Sequence, residues 1–72
     1  MNDETREIMR EKAKFFMNQN IAVHISKKNN FFHNGIIKEI SSDFLIIVDE
    51  VEGELPVFYQ EIFEIQKREA KE

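Results

Sequence analysis

The sequence contains no cysteine and no tryptophan, one proline, two glycines and one tyrosine. Without cysteine there is no disulfide framework, no thiol nucleophile and no cysteine-ligated zinc, and the composition fits a reducing, cytoplasmic setting. Long apolar runs are also missing. The longest, Phe44 to Val48, falls far short of the ~18 to 20 residues of a membrane span, and the polar start from Asn2 to Arg6 lacks the apolar stretch of a signal peptide. The expectation is a chain that neither crosses a membrane nor is anchored in one. Positive charge is scarce as well, with 10 basic against 14 acidic residues and a net charge of −4. Such a chain has no global field to attract nucleic acid, so any binding of that kind must come from a local patch.

What is present suffices for one folded domain over residues 1–72. Hydrophobic residues make up 42% of the chain and seven of its aromatics are Phe, ample for a packed core. In a chain this small, hydrophobic burial and conformational entropy nearly balance, so self-association is the obvious further source of stability.

Two periodicities divide the chain. From about residue 4 to 18, Ile8, Met9, Ala13, Phe16 and Met17 share one side of a helical wheel, with Arg6, Arg10, Glu11 and Lys14 mostly opposite. Asn2 or Asp3 can cap the start of this helix, and Asn18-Gln19-Asn20 suits its end. After Asn20 the period drops to two. Ile21, Val23 and Ile25 alternate with Ala22, His24 and Ser26, the pattern of a half-buried strand over about 21–27. Lys27-Lys28-Asn29-Asn30 turns the chain into a second strand at about 31–40. Its interior Gly35 marks a bulge or sharp bend where a side chain would collide. Ser41-Ser42-Asp43 is a tight turn, and the third strand, about 44–49, is apolar at every position from Phe44 to Val48. That pattern predicts cover on both faces, the barrel interior on one side and the helix on the other. An acidic turn precedes a fourth strand at about 55–59, in which Pro56 implies an edge strand, a place at the strand's first positions, or a bulge. A fifth strand at about 62–66 leads to a charged tail, 67–72.

The layout of an N-terminal helix and five short antiparallel strands, the second strongly bent, resembles the Sm-like small-barrel family of Sm, LSm and Hfq proteins. Gly35-Ile36-Ile37-Lys38-Glu39-Ile40 followed by Ile46-Ile47-Val48-Asp49 is similar to that family's first motif. The resemblance implies a mostly β fold with an N-terminal α-helix, a strongly bent five-stranded antiparallel barrel. It also implies a homo-oligomeric ring in which strand four of one copy pairs with strand five of the next, and RNA as a ligand. The motif positions for base recognition depart from the family pattern. The family's acid falls at Ser41, unless a short indel lets Asp43 stand in, and its uridine-contacting Asn falls at Leu45, which can form no hydrogen bond. Phe58-Tyr59-Gln60-Glu61 replaces the Arg-Gly of the second motif.

Two groups of residues remain as candidate nucleic-acid contacts. Lys27, Lys28, Asn29 and Asn30, followed by Phe31 and Phe32, join positive charge, amides and aromatics, as single-strand binding requires. Here the commoner alternative is a polar turn followed by core phenylalanines. The resemblance places Ser41, Asp43, Phe44, Tyr59 and Gln60 on the two loops of the family's RNA pocket, where the commoner alternative is two ordinary turns with buried rings. Asp49, Glu50, Glu52 and Glu54 around Gly53 do not have the spacing of a calcium loop and read as a solvated acidic turn. His24 and His33 are too few for a structural zinc site, so neither metal nor cofactor is expected. A phosphate-binding glycine loop is absent, and no serine or histidine carries a recognisable flanking pattern, so the chain does not read as an enzyme. The two functions left open are an RNA-binding homo-oligomeric scaffold and a protein-interaction module of the same fold.

Overall fold

The computed structural model describes residues 3–68. Asn2 as a helix cap and residues 69–72 of the charged tail lie outside that range. Helix α1 spans Asp3–Asn18, and the strands are β1 (Val23–Lys27), β2 (Phe32–Ile40), β3 (Phe44–Asp49), β4 (Gly53–Phe58) and β5 (Ile62–Lys67). A single 3-10 turn, Tyr59–Glu61, joins β4 to β5. No helix among the described residues is long and apolar enough to cross a membrane.

The helix ends in a Schellman-type arrangement. Asn20 takes a positive φ of 57°, the Ile21 N–H donates to Phe16 O and the Asn20 N–H donates to Met17 O. Asn is one of the few side chains that tolerate this left-handed conformation, so the stop is local chemistry. Met9, Phe16 and Met17 pack against the core and Ala13 is fully buried, its small side chain allowing the helix to sit close to the sheet. Ile8 differs from expectation. It is 55% exposed, because it lies five residues before Ala13 and so about 140° around the helix from the centre of the buried stripe.

All strand pairs are antiparallel, in the order β4-β3-β2-β1-β5. The inner face carries the core: Val23 and Ile25 of β1, Ile37 of β2, Leu45 and Ile47 of β3, Val57 of β4, and Ile62 and Ile65 of β5. Fully burying one such side chain contributes about 1.5–3 kcal/mol. Two devices bend the sheet. A Cβ at Gly35 would lie 2.0 Å from the Val48 carbonyl oxygen, so only glycine permits β2 to approach β3 this closely. Three residues later the β2–β3 register shifts between Ile37 and Glu39, leaving Lys38 as the extra residue of a bulge.

The sheet bends without closing. β4 and β5 are its two outer strands, and the chain passes from one to the other in the three residues of the 3-10 turn, which brings both edges together at that end. Pro56 pairs with Ile46 from the edge strand β4, where a missing N–H is tolerated. β4 starts at Gly53, earlier than the expected Leu55, because the Asp49 side chain tightens the preceding turn. Its Oδ1 accepts the N–H groups of Val51 and Glu52, and Gly53 supplies a φ of 82°. β3 is covered on one face only. Leu45 and Ile47 are buried, but Phe44 and Ile46 are half-exposed and Val48 is 42% exposed. The helix is not the cover expected for that face, since it packs chiefly on β2, β5 and the 3-10 turn.

Candidate nucleic-acid interface

The β1–β2 turn is built by its asparagines. Lys27 N–H donates to Phe31 O at 2.8 Å and Asn30 N–H to Lys27 O at 3.1 Å, closing a tight hairpin. Asn30 adopts a φ of 73°, and the Asn29 side chain accepts the Phe31 N–H. These amides therefore hold the turn in shape, and Asn is well suited to both roles. The same turn is tied to the β4–β5 junction, since Lys28 N–H donates to Glu61 O and the Lys27 ammonium lies 3.7 Å from the Glu61 carboxylate. Lys28 is exposed and has no ion-pair partner among the described residues.

Phe31 and Phe32 are not core residues. They are 67% and 58% exposed, and they share an open depression of about 420 Å³ with Lys27, Lys28, Asn30, His24, Ser26 and Phe63. Phe63 comes from β5 and is itself 67% exposed. Its position follows from register: Ser26 pairs with Glu64 and Lys27 with Ile62, so Phe63 is the unpaired residue of a bulge. A bulge re-aims the extra side chain, here away from the core that Ile62 and Ile65 enter. The His24 ring lies 5.1 Å from that of Phe32 and its Nδ1–H donates to Asn34 Oδ1 at 2.7 Å, which fixes one wall of the depression. Two lysines, the polar edges of His24 and Asn30, and three accessible rings thus meet on one surface.

A second depression, of about 370 Å³, is lined by Lys28, Asn29, Gln60 and Glu61. It joins Gln60 to the lysine turn, two segments that are far apart in the chain.

The loop group expected around Tyr59 is arranged differently. The Tyr59 ring is fully buried, its hydroxyl donates to Ser41 O at 2.7 Å, and its N–H donates to Asp43 O. Burial pushes the phenol up to about 12, and the group stays a hydrogen-bond donor. Tyr59 therefore offers no ring face to a base. Asp43 accepts a hydrogen bond from Arg6 of the helix at 2.8 Å, and Phe44 packs against Phe58 with ring centroids 5.4 Å apart. Ser41, Asp43, Phe44 and Tyr59 are thus engaged with one another and with the helix, whereas Gln60 is exposed.

Sequence patterning missed Phe63 and His24 as parts of the aromatic surface. The signal for Phe63 was the spacing of Ile62 and Ile65, which skips a strand's usual alternation and implies a bulge. His24 could be found only from its cross-strand neighbours, Asn34 and the ring of Phe32.

No protein-family profile matches the sequence, and no curated protein matches it. Solved structures do match, among them the crystal structure of the pleiotropic translational regulator Hfq, with a TM-score of 0.71 over 82% of this chain and 97% of that one. Sequence identity across the match is 15%, so the likeness is one of backbone architecture. An N-terminal helix on a strongly bent, five-stranded antiparallel sheet, in the arrangement of Hfq, gives this chain the Sm-like fold.

Proposed function

We propose that the chain is a homo-oligomeric Sm-like scaffold that binds single-stranded RNA on the face formed by Lys27, Lys28, Asn29, Asn30, Phe31, Phe32 and Phe63. The observation that carries this reading is the exposure of three phenylalanines beside two lysines on one side of the sheet. Exposed rings lose apolar burial in the isolated chain, and base stacking recovers it at about 1–3 kcal/mol per base. Lys28, which has no ion-pair partner among the described residues, supplies the local positive charge that a chain of net charge −4 otherwise lacks, with Lys27 beside it shared with Glu61. Gln60, reached through the second depression, extends the same surface. Stacking and phosphate contact do not discriminate bases strongly, so the proposed binding tolerates sequence variation. The proposed activity is binding, with no catalytic step.

Assembly is the second part of the proposal. Among the described residues the outer strands β4 and β5 each leave one ladder edge unpaired, and joining β4 of one copy to β5 of the next satisfies both around a closed ring. It also repeats the aromatic face once per subunit.

A protein-interaction scaffold is the alternative, favoured by a specific observation. Val48, Ile36 and Phe58 are exposed on the outer face, an apolar surface suited to a protein partner. Anisotropy titrations of fluorescent oligo-U and oligo-A at increasing salt separate the two readings. RNA binding predicts a measurable affinity that weakens with salt. Lys27→Ala with Lys28→Ala then flattens the log–log salt slope by roughly 0.7 for each phosphate that is no longer neutralised. An absence of binding at low salt would remove the RNA reading in favour of the protein partner, and light scattering tests the ring separately.

A further inference from the structure

The turn between β3 and β4 carries the acids Asp49, Glu50, Glu52 and Glu54, and two of them are matched by nearby cations. Glu50 pairs with Arg68 and Glu54 with Lys38, whereas Asp49 is hydrogen-bonded to the His33 ring. Glu52 has no side-chain partner among the described residues. Its carboxylate nevertheless lies where two other metal-ligating groups converge, since one ligand atom each from His33, Asp49 and Glu52 falls within 4.8 Å of the others.

Two of these three groups are already held in place. His33 and Asp49 face the interior from β2 and β3, their side chains 12% and 7% exposed, with Nδ1 and Oδ2 3.1 Å apart. That separation is close to the edge of a tetrahedron built from metal bonds of about 2.0–2.1 Å. The Asp49 carboxylate is oriented by the Val51 and Glu52 N–H groups, which both bind Oδ1 and leave Oδ2 directed at the imidazole. Metal sites generally rely on such supporting hydrogen bonds to fix their ligands. Glu52, exposed at the rim, completes the set and borders an open depression of about 240 Å³ that also touches Asp49 and Asn34.

We propose that His33, Asp49 and Glu52 form a binding site for a divalent transition-metal ion of the zinc type, with solvent completing the coordination. One imidazole nitrogen and two carboxylate oxygens suit such an ion, whereas calcium and magnesium require a larger or strictly octahedral set of oxygens. The ion takes the place of the proton that Nδ1 shares with Oδ2. In the neutral imidazole that proton moves to Nε2 through solvent, so nothing is released, and the two carboxylate charges balance the ion. Bound there, the metal ties β2, β3 and the following turn together. The sequence concealed this arrangement, because His33 lies sixteen positions before Asp49 and was unconnected to the acidic turn by any spacing rule.

The test titrates ZnCl2 into the full chain and follows the thermal unfolding midpoint together with the His33 ring resonances, with MgCl2 as control. The expected result is a saturable rise in Tm at one ion per chain, with the His33 ring signals shifting on zinc alone. Glu52→Gln is expected to weaken zinc binding by about tenfold or more while leaving the metal-free midpoint unchanged. His33→Ala should abolish binding, and Glu52→Gln carries the test if that variant does not fold. Unmoved His33 resonances, an equal response to magnesium, or wild-type affinity in Glu52→Gln would each overturn the proposal.

Discussion

Two aromatic loop regions, built from similar residue types, end up with opposite fates. Around Tyr59 an aromatic ring lies among serine, aspartate and glutamine, and around Phe31 aromatic rings lie among asparagines and lysines. The Tyr59 region spends its polar groups internally: the hydroxyl donates to Ser41 O, the backbone N–H to Asp43 O, and the Asp43 carboxylate is taken by Arg6. At the Phe31 turn the asparagines satisfy only the backbone, and the rings and the Lys28 ammonium are left facing solvent. What distinguishes a candidate binding surface from a structural junction here is whether hydrogen bonds and apolar area are already committed to the fold. Composition does not report that distinction.

The largest effect that would sharpen the contrast is at Tyr59. Replacing it with alanine removes a fully buried ring and is expected to destabilise the chain by about 3–5 kcal/mol, visible as a large drop in the urea midpoint. Tyr59→Phe keeps the ring and removes the donor to Ser41 O, at a loss of about 1 kcal/mol. Unchanged stability in the alanine variant would break the contrast, because the ring would then not be part of the core.

The opposite pattern is expected across the lysine turn. Phe31→Ala and Phe63→Ala should each leave unfolding within about 0.5 kcal/mol of the wild type, since both side chains are mostly exposed. In oligonucleotide titrations each is expected to weaken binding by about 1–3 kcal/mol, the value of one stacked base. A variant that loses stability without losing affinity would place its ring with Tyr59, on the structural side of the comparison.

The fold was largely legible because its determinants are local. Helical spacing with an asparagine stop, strict alternation at Val23 and Ile25, and a glycine in the middle of β2 each have a short-range physical cause, and the Gly35–Val48 approach shows that the glycine was needed. The missing cover on β3 was not legible, since an apolar run signals apolar surroundings without saying whether they come from the same chain. Exposure of Phe31 and Phe32 was also hidden, as adjacent phenylalanines normally belong to a core. Phe63 is turned outward by a register shift that only the pairing with Ser26 and Lys27 reveals. The surface candidates depend on such cross-strand relations, which single-strand patterns do not encode.

The smallest expected effect concerns Asp49, a buried group committed to the fold through its charge rather than through apolar area. The N–H groups of Glu52 and Val51, followed by the contact with His33, hold its carboxyl below the ordinary value of 3.8. The folded chain therefore releases this proton more readily than the unfolded chain. Stability from the ionised carboxylate is fully present above the unfolded value and is lost as pH falls through 3.8 toward the lower folded value. Asp49→Asn retains the shape and an acceptor oxygen but removes the charge, and is expected to lose about 1 kcal/mol at pH 7. Because the wild type gives up the same contribution in acid, the gap between the two should narrow as pH falls below 3.8. Urea unfolding at pH 7 and pH 3, with EDTA present to keep metal ions out of the comparison, measures both differences. A gap that persisted unchanged at pH 3 would mean that the Asn side chain fits the turn poorly, and that shape rather than charge commits this residue to the fold.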